Sequence, residues 1–187
     1  MLRRRHHRAS RLALVALILA FAPAAWSAQT VHLWLRSNGA DILCDSTVTS
    51  LGRENSLEAT SLGGNIFRPL DPATGVPARE AVHRPIRITK RIDRCSPLLM
   101  QALANDENVD ATIRFYRPDP SGTGAEQQYY TIAITSARIV GISMLSPDTT
   151  NPATATLSVT EVVSFTYGEI TWTYEPTGGT FGPWAPR

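Results

Sequence analysis

The chain is poor in the residues that most often carry chemistry. It has two cysteines, four histidines and 18% charged residues in 187 positions, and only 7% of it is aromatic. No Gly-x-Ser-x-Gly elbow, His-Glu-x-x-His helix, phosphate-binding glycine loop or Cys-x-x-Cys pair occurs, which removes the common hydrolase, metalloprotease, nucleotide-binding and thiol-redox signatures. No cofactor is expected. The longest apolar run, Leu12 to Phe21, is too short to cross a bilayer as a helix, so stable membrane insertion is not expected either. Glu54, Glu58, Asp93 and Glu161 are the carboxylates from which a glycosidase pair could be drawn, but their spacing does not require one.

What is present begins with a leader. Arg3, Arg4, Arg5, Arg8 and Arg11 precede the apolar run, and small residues follow to Ala28, the three parts of a secretory signal. Ala25 and Ser27 suit a cut before Ala28; a cut after Ala28 would place Trp26 at the disfavoured third position back. Residues 1–28 are therefore expected to be a signal peptide, and the protein secreted or periplasmic. Its removal leaves 159 residues in which 13 basic face 16 acidic side chains, a net charge of −3. The length suits one domain with a real core, and the mild acidity gives no reason to expect nucleic-acid binding.

The rest of the chain reads as a β protein. Val31, Leu33 and Leu35 alternate with His32, Trp34 and Arg36, the period of a half-buried strand. The same alternation returns at Ile86 to Ile92, Val109 to Tyr116, Tyr130 to Thr135 and Leu157 to Tyr167, with Ile170, Trp172 and Tyr174 continuing after Gly168; Arg138 to Leu145 is a more apolar strand. One helix interrupts them. Ser96 is expected at its N-cap, Pro97 at its first helical position, Leu98, Leu99 and Leu103 on its apolar stripe, and Asn105 and Asp106 at its end. Seven or so strands with one short helix imply a sandwich or a small barrel.

Three blocks together resemble the Hcp (haemolysin-coregulated protein) family, the tube proteins of bacterial type VI secretion. They are the turn Asp45-Ser46 after the first strand, the T-K-x-x-D-x-x-S-P-x-L block carrying Thr89, Lys90, Asp93, Ser96 and Pro97, and the E-x-V-S-F-x-Y-x-x-I-x-W-x-Y block from Glu161 through Phe165, Tyr167 and Trp172 to Tyr174. The resemblance runs from Thr30 to Tyr174 and departs from the family at Cys44, where glycine is usual, and in having a leader. It implies a mainly β fold: a small antiparallel barrel over residues 29–176, with one short α-helix on its side, that forms hexameric rings. These would stack, carry small effectors and meet spike and sheath components. Export by the type VI machine would need no leader.

Two segments stand outside the core. Residues 61–83 hold Gly63-Gly64, Pro69, Asp71-Pro72, Gly75 and Pro77, a composition that resists helix and strand, and loops of this length are usually functional or disordered. The resemblance makes this an assembly arm towards the next ring. Residues 177–187, rich in Gly and Pro, are expected to be a flexible tail. Cys44 and Cys95 suit a disulfide in a secreted protein, with an intrachain bridge, free thiols and a bridge between subunits all open. His32 and His83 are expected at the surface or an interface. The basic run Arg79, Arg84, Arg87, Lys90, Arg91 and Arg94 is expected on a solvated face or an interface, because no aromatic residues interleave with it as stacking platforms.

Three function classes therefore compete: a tube subunit, a free secreted effector or binding protein that keeps the barrel, and a periplasmic enzyme.

Overall fold

The computed structural model describes residues 29–186; the leader lies outside them. The described residues form eleven strands and one helix: β1 (Thr30–Ser37), β2 (Ala40–Ile42), β3 (Leu57–Gly63), β4 (Ile66–Phe67), β5 (Val82–His83), β6 (Ile86–Arg91), α1 (Ser96–Ala104), β7 (Val109–Pro118), β8 (Glu126–Leu145), β9 (Thr160–Thr166), β10 (Glu169–Tyr174) and β11 (Gly179–Trp184).

Six of these, β7-β1-β3-β6-β9-β8, close an antiparallel barrel. Closure depends on β8, which does two jobs in succession. Its first half pairs with β7 from Pro118↔Glu126 to Val109↔Ala137, and its second half pairs with β9 from Arg138↔Thr166 to Leu145↔Thr160. The turn between the halves is at Ser136, a non-glycine residue at φ 50°. Gly168 makes this possible, since a Cβ there would lie 2.9 Å from the Ser136 Cβ. Near this bend, Asn38 and Gly39 (φ 48° and 84°) join β1 to β2 in the two-residue turn that positive φ values favour between antiparallel strands.

The alternating apolar residues face inward as their period demands: Leu33 and Leu35, Leu57 and Ala59, Ile86 and Ile88, Ala111 and Ile113, Ile134 and Ile139, Val163 and Phe165 are all buried. Closure leaves no free edge among these six strands, while β2 and the β10–β11 pair extend from the ring. The helix adds Leu99 and Ala102 to this core, whereas Leu98, expected on the apolar stripe, is exposed. It ends where expected. Asp106 adopts a left-handed φ of 51° and the Glu107 N–H returns to Ala102 O at 2.9 Å, closing the last turn as a C-terminal cap.

Three expectations need correction. Cys95, not Ser96, is the N-cap, and no side chain caps the helix, so Ser96 and Pro97 both lie inside its first turn. Residues 179–184 are not a flexible tail: they pair with β10 from Ile170↔Trp184 to Tyr174↔Gly179, because Phe181 and Trp184 pack on Trp172. The segment 61–83 does hold strand. Residues 61–63 finish β3, and β4 pairs with β5 through Ile66↔His83 and Phe67↔Val82.

Candidate functional site

The three motif blocks, distant in sequence, meet on one side of the barrel. Lys90 occupies an inward-facing position of β6 and is directly paired with Glu161 of β9. Both side chains are buried. Alternation puts Lys90 on the isoleucine side of its strand, so it leaves the solvated face expected for the basic run, while Arg87 and Arg91 remain there. The Lys90 ammonium donates to Glu161 Oε1 (2.9 Å), Asp93 Oδ1 (2.8 Å), Ser96 Oγ (3.0 Å) and Arg91 O (2.7 Å). Ser96 Oγ donates in turn to Glu161 Oε1 at 2.8 Å and accepts the Asp93 N–H at 3.1 Å. This hydroxyl is therefore a link between strand and helix rather than a cap. Pro97 follows it on the exposed side of the first turn, and Thr89, half-buried, accepts Thr60 Oγ1 on its carbonyl at 3.1 Å.

The Asp45-Ser46 turn lies on the outside of the wall, in the loop between β2 and β3. Cys44 is joined to Cys95 by a disulfide with a Cα–Cα distance of 4.7 Å, inside the usual range. Arg94 completes the junction by donating to Cys44 O (3.0 Å) and Asn55 Oδ1 (3.2 Å) and pairing with Asp45 Oδ1 (3.2 Å).

The same loop covers His32, which corrects the surface placement expected for it. His32 points away from the barrel interior but is 0% exposed. Its Nδ1 is hydrogen-bonded to Ser56 Oγ (2.9 Å) and lies 3.3 Å from Ser46 Oγ, and its buried Nε2 has no hydrogen-bond partner among the described residues. Arg53, also buried, stacks 3.7 Å over Tyr116 and pairs with Glu126 at 2.8 Å. Burial, then the nearby Arg53 cation, holds the imidazole below its ordinary pKa of 6.5, with Glu58 and Glu126 opposing.

The third block joins the barrel to the segment between β3 and β6. Phe165 fills the interior; Tyr167 is hydrogen-bonded through its hydroxyl to His83 Nδ1 at 2.9 Å, and His83 meets the edge of Trp184 at 4.3 Å. His83 is thus half-buried at the arm's base. Trp172 stacks on Phe181, while Tyr174 pairs in register with Tyr130 and stays exposed. Beyond this base the arm runs out with every residue from 68 to 80 exposed. It is held by its own bonds: Asp71 Oδ1 accepts the N–H groups of Ala73 (2.8 Å) and Thr74 (2.9 Å), and a Leu70↔Pro77 bridge closes the tip. Leu70 and Val76 remain 63% and 59% exposed.

Three of the four carboxylates considered for catalysis are committed elsewhere. Asp93 and Glu161 share Lys90, and Glu58 accepts Thr47. Among the described residues no group of three or more His, Cys, Asp or Glu side chains is arranged to hold a metal, and no helix is long and apolar enough to cross a membrane. The arrangement offers surfaces for contact: an apolar-tipped arm, an exposed strand edge at β11 and an outer loop under a covalent tie. His32 burial and the β11 pairing were the features missed by pattern reading. The aromatic spacing of Phe181 and Trp184 was the available signal for β11; nothing local marks the loop that covers His32.

Known proteins share this architecture. The family model described as type VI secretion system effector, Hcp, matches residues 40–174. The major exported protein of Pseudomonas aeruginosa is 36% identical over 128 residues, 68% of this chain and 73% of that protein. Among solved structures, Hcp1 from Escherichia coli EAEC 042 superposes with a TM-score of 0.72 at 27% identity, covering 82% of this chain and 97% of that one. The secreted protein Hcp3 of Pseudomonas aeruginosa gives 0.66 at 25% identity over 86% and 99%.

Proposed function

Because the chain belongs to the Hcp family of type VI secretion proteins, we propose that it is a structural subunit of the secretion tube, assembling as hexameric rings that stack and shelter small effectors in their lumen. The observation that carries this reading is the pairing of a closed barrel with a projecting arm whose apolar tip finds no cover among the described residues. A ring requires a heterologous contact that closes on itself, and exposed strand edges such as β11 supply it. The arm tip, with Leu70 and Val76 outward, then reaches the adjoining ring. Its partners are further copies of itself, the spike and sheath components and small effectors; its role is to build and carry, not to catalyse.

Light scattering on the purified chain without residues 1–28 tests this directly. A species of about six times the monomer mass is expected, and a strictly monomeric profile at high concentration would overturn the tube reading.

A second reading is favoured by two specific features. The leader and the Cys44–Cys95 bridge both suit a protein that passes through an oxidising compartment, as a free secreted or periplasmic effector would. N-terminal sequencing of exported protein separates the routes. A start at Ala28 or Gln29 supports the leader, and an intact Met1 outside the cell assigns export to the type VI machine alone.

A further inference from the structure

The outer loop from Leu43 to Ser56 has different fastenings at its two ends. One is covalent, the Cys44–Cys95 bridge, which closes 51 residues of sequence. The Ser56 end is held by buried contacts, Arg53 with Glu126 (2.8 Å) and over Tyr116, and Ser56 with His32 (2.9 Å), and Thr47 N–H bonds Glu58 (3.2 Å). Beside the bridge, the Cys44 end has Arg94 bonding Cys44 O (3.0 Å) and Asn55 Oδ1 (3.2 Å) and the Arg94–Asp45 pair, whose side chains are 50% and 58% exposed. Such an exposed ion pair contributes little. Three residues in the loop, Leu51, Gly52 and Asn55, have positive φ, so its backbone gains freedom readily once released. What it covers is unusual: His32, a buried histidine on the outer face of β1, packed beside the loop's own buried Arg53 and Ser56.

Cys95 also belongs to the other polar cluster. Its N–H donates to Asp93 Oδ1 at 3.0 Å, the oxygen that also accepts Lys90 Nζ. The bridge therefore ties the loop over His32 to the anchor that joins β6, β9 and α1. Both cysteines are buried, at 1% and 0% exposure, and the pairing fits unstrained Cα spacing.

We propose that Cys44–Cys95 is a compartment-dependent latch, open in the reducing cytoplasm and closed after export, which fastens the Cys44 end of the 43–56 loop over His32 only in protein that has met an oxidising space. This rests on reading residues 1–28 as an export signal. The closing step is a balanced exchange: the two thiols give up two protons and two electrons, one S–S bond forms, and a disulfide oxidant of the dithiol-oxidase class is reduced to its dithiol. A crosslink of this span stabilises mainly by constraining the unfolded chain; in the folded protein it fixes the Cys44 end of the 43–56 loop to the start of α1, so opening it should loosen that loop and leave the arm as it was.

Limited trypsin digestion of the purified exported chain tests the latch. Protein incubated with dithiothreitol until both thiols can be alkylated should be cut after Arg53 at least tenfold faster than the oxidised protein. Cleavage after Arg79, on the exposed arm, should be unchanged and serves as the internal standard. Cys95→Ser should behave like reduced wild type; if that variant fails to fold, the reduced and oxidised wild-type samples decide alone. Unchanged cutting after Arg53 overturns the latch. Alkylation in cells tests the compartment: leader-bearing protein should take two labels and processed protein none, and equal labelling of both pools overturns the dependence. Failure of the export reading shows separately, as exported protein that still begins at Met1, and leaves the trypsin result on purified protein intact.

Discussion

The Lys90 cluster and the arm are opposites built from one chain. At Lys90 a single ammonium, fully buried, is surrounded by four acceptors drawn from β6, β9, the start of α1 and the turn between β6 and α1. In the arm every residue from 68 to 80 is exposed, and the bonds that shape it connect neighbours such as Asp71 with Thr74. Buried charge is expensive unless every partner is in place, so the cluster rewards only one register of β6 against β9 and one placement of α1. The arm imposes no such condition on the barrel. The difference teaches where substitutions should be felt: in folding at the first region, in contact with other molecules at the second.

The sharpest break of that contrast is at Glu161. Glu161→Ala leaves Lys90 buried with half of its carboxylate partners removed, and losing one member of a buried pair typically costs about 3–5 kcal/mol. Denaturant unfolding should show this as a large fall in midpoint. Ser96→Ala should cost less, about 1.5–3 kcal/mol, because the hydroxyl bonds charged groups. A loss nearer the ~1 kcal/mol of a simple helix cap would show that the link to Glu161 contributes nothing.

His32 gives an intermediate effect, visible through pH. Burial and Arg53 keep its folded pKa below 6.5, so the unfolded chain binds the proton first as pH falls. Stability should therefore be full above about 6.5, decline as the unfolded imidazole charges, and stop declining from this source once pH passes the folded pKa. His83, also lowered by burial, acts in the same direction. Urea midpoints measured between pH 7.5 and 5 should fall in the wild type and fall less in His32→Gln. Equal slopes in the two proteins would place the proton uptake elsewhere.

Much of this was legible in the sequence, and the gaps have physical causes. Strict alternation exposed β1, β6, β7 and β9, because each has one face in the barrel. The same rule placed Lys90 on the apolar face without saying why. Its reason is Glu161, 71 residues away, and only the closed sheet brings them together. Ser96 looked like a cap because Ser before Pro usually is one; the Lys90 and Glu161 side chains recruited its hydroxyl instead. His32 was misplaced since alternation reports which face of a strand a residue is on, not whether a loop lies over it. The arm and β11 were missed as strands because Pro and Gly lower β propensity, whereas short edge ladders held by turn bonds and aromatic packing tolerate both.

The smallest expected effect on folding comes from the arm, and it bears most on assembly. Replacing residues 68–80 with a short Gly/Ser linker removes Leu70, Val76 and the Asp71 turn but touches none of the buried core. Exposed positions away from such features usually change stability by no more than about 0.5 kcal/mol, so the unfolding midpoint should hardly move. Ile66↔His83 and Phe67↔Val82 stay in place at the base, as does the His83–Tyr167 bond, so the barrel keeps its closure there. End-to-end association of rings, followed by electron microscopy and sedimentation, should be lost while single rings persist. A destabilised barrel would mean that the arm supports the core after all, and undiminished stacking would move the contact between rings to another surface.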